Sequence, residues 1–159
     1  MTYVGIDVSK ATFVVAYSSA KTGRTKTFKN TVKGVHEFIQ TISATEHHCV
    51  LEATGNYSAL LVYLLSEAGI TVSLENPLKI KNFARAMLSV TKTDEMDSRL
   101  IALYGERMQP EPYKLRSDSI LFLKQKRTVL RQLKKQLVAT RNLKGSMEAL
   151  PFFDPKCKK

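Results

Sequence analysis

The sequence predicts an α/β domain built on a mixed sheet, followed by a long basic helix. Three observations carry this. Short β-branched or aromatic runs come first and lie close together, at 3–8, 12–18 and about 24–29. Helix-patterned and strand-patterned segments then alternate as far as Arg107. Beyond Ser117 the pattern becomes one uninterrupted helix rich in Lys and Arg.

Residues 3–8 and 12–18 are separated only by Ser9-Lys10-Ala11, which reads as an antiparallel hairpin. A second turn at Lys21-Thr22-Gly23 leads into a third strand from about Arg24 to Lys29. Val35, Phe38, Ile39 and Ile42 recur at helical spacing, predicting a helix from Val32 to Ser43. His47 and His48 have no ligand-type partners near them in sequence and read as surface residues before a buried strand at Cys49–Glu52. Tyr57, Leu60, Leu61, Leu64, Leu65 and Ala68 form the apolar side of a second helix. Tyr57 could stack on a base or fill the core, with the core the expectation; Asn56 is a possible cap, and Gly69 closes the helix. A fifth strand follows at Ile70–Leu74, with Pro77 as its punctuation. Helices are expected at about 78–88 and from Thr93 to Arg107, and Pro110 and Pro112 mark the end of the globular part.

The last segment differs in charge. Residues 1–115 carry 13 Lys and Arg against 11 Asp and Glu, whereas residues 116–159 carry 12 against 3. Nearly all of the net +11 therefore sits behind residue 115, which points to a polyanionic partner. Ser117 or Asp118 is placed to cap this helix, with Leu123, Leu130, Leu133, Leu137, Val138, Leu143 and Met147 along one broad side. Lys124, Lys126, Arg127, Arg131, Lys134, Lys135, Arg141 and Lys144 occupy the rest, so salt-sensitive nucleic-acid binding is expected. The division predicted is a catalytic domain over 1–115 and a basic helical segment over 116–159. No run approaches 18 apolar residues, and the two cysteines, Cys49 and Cys157, make no disulfide framework. A cytoplasmic protein without a membrane span or a signal peptide is expected.

Against this background four acids stand out. Asp7 lies within an apolar strand, between Ile6 and Val8, and Glu52 ends another, after Val50 and Leu51. A carboxylate in such a place is costly unless paired or bound to a cation. Asp94 and Asp97, three apart, share one face of a helix, where like charges repel unless a cation lies between them. Two acids opening a helix also suit its dipole. An all-oxygen ligand set without Cys or His favours Mg²⁺ or Mn²⁺ over zinc. Four acids suffice for two ions about 4 Å apart, the arrangement that stabilises attacking and leaving oxygens at a phosphodiester. Lys10, Lys79, Lys81, Arg85, Lys92 and Arg99 flank these acids in sequence and are candidate phosphate contacts.

Gly5-Ile-Asp-Val-Ser-Lys10, Glu52-Ala-Thr-Gly-Asn-Tyr57 and Lys92-Thr-Asp-Glu-Met-Asp97-Ser-Arg-Leu-Ile-Ala102 resemble, in order, the three N-terminal blocks of the DEDD transposases of the insertion sequence 110 type, relatives of the pilin-gene invertases. The resemblance runs from residue 3 to about 115 and, more loosely, into the basic helix. It implies an RNase H-like fold of the RuvC type: a mixed five-stranded sheet flanked by helices. It also implies that Asp7, Glu52, Asp94 and Asp97 are a metal-binding tetrad. Further implications are a coiled coil from Asp118 onward that serves oligomerisation, DNA as substrate, and in some members a structured guide RNA. The family's nucleophilic serine lies in a separate C-terminal domain that the sequence to Lys159 does not contain. The expectation is therefore a fragment that binds metal and nucleic acid without completing recombination. The alternatives are a stand-alone RuvC-like nuclease or junction resolvase, and a non-catalytic nucleic-acid-binding module. A sugar-kinase-like or actin-like ATPase expects a Gly-Thr or Gly-Ser turn where this chain has Val8-Ser9-Lys10, and a second matching domain.

Overall fold

A computed structural model describes residues 1–18, 25–53, 55–87, 93–114, 118–150 and 152. The elements, in chain order, are β1 (Thr2–Val8), β2 (Thr12–Tyr17), β3 (Thr25–Lys29), α1 (Val32–Ile39), β4 (His47–Glu52), α2 (Ala59–Glu67), β5 (Thr71–Glu75), α3 (Pro77–Ala86), α4 (Asp94–Met108) and α5 (Asp118–Glu148). The turn predicted at 21–23 and the start of the third strand at Arg24 lie outside the described residues.

The five strands form one sheet of order β3-β2-β1-β4-β5. β1, β2 and β3 pair antiparallel, while β4 lies parallel to β1 and β5 parallel to β4. This is the mixed, helix-flanked sheet of an RNase H-like fold, with β1 at its centre. The pleat divides its side chains between two layers. Val4, Ile6, Val8, Phe13, Val15, Cys49, Leu51 and Val72 pack with α1 and α2 in one buried cluster, in which Phe13, Phe28 and Phe38 meet ring to ring. On the opposite face Val50 packs with Ile80 of α3 and with Ile101 and Tyr104 of α4.

The second layer is fixed by how closely α4 approaches β1. A Cβ on Gly5 would lie 2.1 Å from both Ala102 N and Ser98 O, both backbone atoms of α4. The helix can rest there only because residue 5 has no side chain. One step back along β1, Tyr3 lies against Gly105, where a Cβ would be 2.8 Å from the Tyr3 ring and 2.9 Å from Val50. Position 3 thus faces residue 105 and position 5 faces 98 and 102. α4 therefore runs antiparallel to β1, and the next inward position on the strand, 7, meets the first turn of the helix. The spacings agree: two strand residues advance about 6.6 Å and three to four helical residues about 5 Å.

Several expectations are corrected. The first helix ends at Ile39, four residues before Ser43, because the chain turns on itself there: Thr41 donates backbone N–H and hydroxyl to Phe38 O, at 2.8 and 2.7 Å. β4 begins at His47 rather than Cys49. His48 is not a surface residue but 4% exposed, stacked on Tyr3 with its Nε2 2.7 Å from Ser73 Oγ. Ser73 in turn donates to Pro110 O and Glu111 O, so Nε2 is the nitrogen that carries the proton. Burial without a counter-charge lowers the His48 pKa, keeping the ring neutral. His47, half-buried, accepts the Ser43 N–H through Nδ1. Pro77 is the first residue of α3, capped by Asn76 Oδ1, and β5 extends to Glu75. Tyr57 is 48% exposed and outside the core, and Asn56 does not cap α2.

The segment after α4 does not leave the domain at Pro110. Pro110 is buried, and Tyr113 donates its N–H to Val72 O at 2.6 Å and packs on the main core. Residues 110–113 therefore cover the free edge of β5, which would otherwise present unpaired backbone groups.

The chain divides into two compact units, Met1–Leu115 and Arg116–Lys159. The second is built on α5, whose 31 residues give a rod about 46 Å long. Leu123, Leu130, Leu133, Leu137, Val138, Leu143 and Met147 are all exposed along it, as are Lys124, Arg127, Arg131, Lys134 and Lys135. No described helix is long and apolar enough to cross a membrane. The capping of α5 by Ser117 or Asp118, its stop at Pro151, and Cys157 lie outside the described residues.

The Gly5 contact yields a direct expectation. Gly5→Ala should destabilise the domain by about 3 kcal/mol or more, since the methyl meets the rigid backbone of α4 at two residues. Thermal melting followed by far-UV circular dichroism measures this, with Gly145→Ala in α5 as a control of opposite sign, since the added carbon meets nothing within 4 Å and alanine favours a helix interior by up to about 1 kcal/mol.

Candidate functional site

The site is assembled at the ends of β1 and β4 by three local rules. β1 and β4 are parallel with Ile6 beside Leu51, so the residues one step further, Asp7 and Glu52, stand side by side on the same face of the sheet. That face is the one carrying Gly5 and Val50, covered by α4. α4 then begins at the right level because Thr93 caps it, Oγ1 accepting the Met96 N–H at 3.2 Å. Asp94, Glu95 and Asp97 occupy its first turn. Ser98, fully buried, is small enough to lie at the Gly5 contact, and its hydroxyl donates to Glu95 O at 2.9 Å.

Asp7 registers the result. Its carboxyl pKa is pushed up to about 6, first by burial and then by the charges of Asp94, Asp97 and Glu52, while a hydrogen bond from the Val8 backbone opposes the shift. The other three sequence-predicted acids thus all act on Asp7. Asp7, Glu52 and Asp97 are half-buried, and Asp94 is exposed. Among the described residues, no three His, Cys, Asp or Glu side chains are already drawn together as a cage for an ion. In kind, however, the donor set fits a hard divalent cation: carboxylate oxygens alone, converging from two strands and one helix, with mutual repulsion that a cation would relieve.

A fifth acid lies beside them. Glu75 pairs with Glu52 across β4 and β5 and is 8% exposed. Lys79 Nζ, one helical turn on, reaches Glu75 Oε2 at 3.0 Å, and Tyr104 hydrogen-bonds the same carboxylate. The Glu75 carboxylate raises the Lys79 pKa, chiefly through their hydrogen bond. Lys79, a candidate phosphate contact by sequence, is therefore engaged with Glu75, although its side chain remains 63% exposed. Lys10 is exposed in the turn after β1, Lys81 and Arg85 are exposed on α3, and Arg99 is exposed on α4. Lys92 and Thr54 lie outside the described residues.

Sequence reasoning missed Gly5, Gly105, Ser98 and Glu75. A glycine two residues before a strand acid was the available signal, since glycine inside a strand marks close approach by another backbone. Glu75 gave no signal, because its burial depends on Tyr104 and Lys79 from two other helices.

The sheet order and its mix of antiparallel and parallel pairings are those of an RNase H-like domain. The family model of the DEDD transposases of insertion sequence 110, described as transposase, matches residues 4–148, and the chain belongs to that family. Pilin gene-inverting proteins of Moraxella bovis and Moraxella lacunata are each 34% identical to it over 144 residues, covering 85% of this chain. The chain spans 45% of the length of those relatives. Among solved structures, that of RuvC from Thermus thermophilus overlaps 71% of this chain and all of its own, at 13% identity and a TM-score of 0.49.

The raised Asp7 pKa makes a signed prediction. Between pH 3.8 and about 6 the folded protein holds a proton on Asp7 that the unfolded chain has released, so its contribution to stability falls as pH rises through that window. Asp7→Asn, which stays neutral, should therefore melt higher than the parent above pH 6 in metal-free buffer. Because part of the carboxylate stays wet, the gain is about 1–2 kcal/mol. It should vanish below pH 4, and melting curves at pH 3.5 and 7.5 measure both ends.

Proposed function

We propose that this chain is the N-terminal catalytic domain of a DNA transposase or site-specific recombinase, with Asp7, Glu52, Asp94 and Asp97 as ligands for Mg²⁺ or Mn²⁺. The observation that carries the reading is the coupling of Asp7 to the other three acids. Four like charges brought to one place by three separate elements make the apo domain less stable, and a site that works against stability is characteristic of function. Membership of the transposase family gives that site a phosphodiester substrate.

The roles follow from position. Asp7 and Glu52, fixed on paired strands, form the rigid half of the cation site, and Asp94 and Asp97 close it from the helix. Held there, the cation supplies stabilisation of the negative charge that develops on attacking and leaving oxygens. Lys10, Lys81, Arg85 and Arg99, with Lys92, contact backbone phosphates and set the strand's path without reading its sequence. Lys79 holds Glu75 turned toward itself, which keeps a fifth carboxylate from competing as a ligand. α5 adds non-specific affinity through Lys124, Arg127, Arg131, Lys134 and Lys135, and its exposed leucines pair with a second copy of the chain. A guide RNA, where used, is a partner of the same recombinase. This domain alone then binds cation and DNA and does not complete recombination.

Calorimetric titration of Mn²⁺ tests the proposal, run with and without a short duplex because such ions rely partly on phosphate ligands. Saturable binding that is tighter with DNA and absent from the Asp7→Ala, Asp97→Ala double variant is expected. Equal heats from parent and double variant in the presence of DNA would overturn it and leave a basic binding module.

A further inference from the structure

Two loops leave the sheet at the end where Asp7 and Glu52 stand: the turn at Ser9–Ala11 after β1, and the loop into α2 after β4. One side chain ties them together. Asn30, just past β3, donates through Nδ2 to Ser9 O at 2.9 Å and to Tyr57 O at 3.0 Å, and its backbone N–H donates to Ala11 O at 2.8 Å. Both amide hydrogens are thus spent on carbonyls of different loops. Its Oδ1 is buried with no hydrogen-bond partner among the described residues. An unsatisfied buried acceptor is unfavourable, so the clamp is kept at the expense of stability.

The clamp holds out an aromatic ring. Tyr57 is 48% exposed and makes no ring–ring contact among the described residues. Besides Tyr57, the exposed described residues of the two joined loops are Ser9, Lys10, Ala11, Gly55 and Asn56, with Ala11 the one apolar side chain among them. That setting is wrong for a protein partner, which needs a contiguous apolar patch. It suits a nucleobase, which stacks on one flat ring and carries its phosphate to a neighbouring cation. A ring on a pinned loop also loses little freedom on binding.

We infer that Tyr57 is a stacking platform for an unpaired base of the DNA strand that enters the acidic site, with Lys10 beside it for the phosphate and Asn30 as the residue that positions both. The inference rests on the reading of this domain as DNA-processing and names where the strand is gripped. A stacked base next to the acids fixes the register of the strand, which phosphate contacts along a smooth backbone do not.

The chain contains no tryptophan, so Tyr57→Trp introduces a single fluorescent reporter at the proposed platform. A single-stranded oligodeoxynucleotide should quench its indole emission, and an abasic strand of the same length should not, while fluorescence anisotropy of end-labelled strands shows that both bind. Adding Asn30→Ala should reduce the quenching without abolishing binding. In the otherwise unaltered chain, Tyr57→Leu should weaken single-strand binding by about tenfold, the scale of one lost base–aromatic stack, and leave duplex binding unchanged. Equal quenching by both strands, or none while anisotropy reports binding, would overturn the stacking role and leave the DNA-processing reading standing. Failure of either strand to bind would overturn both.

Discussion

The architecture depends on one contact, the seating of α4 on β1 at Gly5. Every other feature of the site is local: a strand ends in an acid, a helix begins with two. What makes these one site is that a helix lies on a strand at backbone distance, so that Tyr3, Gly5 and Asp7 face residues 105, 98 and 102, and the first helical turn in succession. Any side chain at position 5 lifts the helix, and because the helix is rigid it lifts Asp94 and Asp97 with it. The close packing of protein interiors turns a missing methyl group into the alignment of a functional site.

The consequence is electrostatic. Bringing Asp94, Asp97 and Glu52 near Asp7 raises the free energy of the folded chain, and the protein meets this with packing elsewhere: the triple-phenylalanine cluster, the fully buried valines and leucines of β1, β2 and β4, and the strap at 110–113 over the β5 edge. Glu75 shows the opposite treatment of a buried carboxylate. It is nearly as close to the site by register, yet a lysine and a tyrosine neutralise and bind it. Glu75 is thus held by protein groups, whereas the Asp7 carboxyl keeps its proton to a higher pH because burial and neighbouring acids both disfavour its charge.

Much of this was legible in the sequence. The strands announced themselves through β-branched runs, the helices through apolar spacing, and the four acids through their apolar flanks. The departures arise where contacts outside the local pattern decide the outcome. His47 and His48 have no ligand-type partners near them in sequence and read as surface residues, but Ser43 four residues back and the distant Tyr3 and Ser73 engage them, and β4 starts two residues early. Tyr57 was placed inside because tyrosine is large, whereas the Asn30 clamp, formed 27 residues away in sequence, holds its loop outward. Pro110 and Pro112 were read as an exit, since no local pattern reports that β5 is an edge needing cover. What local pattern carries was recoverable, and what depends on partners distant in sequence was not.

The central claim is that the Gly5 contact gathers four acids into one cation site. The most direct test is a crystal of the protein grown with Mn²⁺ and a short DNA duplex, with the ion located by its anomalous scattering. A peak is expected about 2.1 Å from carboxylate oxygens of Asp7 and of at least two of Glu52, Asp94 and Asp97. A fully occupied ion elsewhere on the domain, with these four carboxylates turned to solvent or to basic side chains, would contradict it.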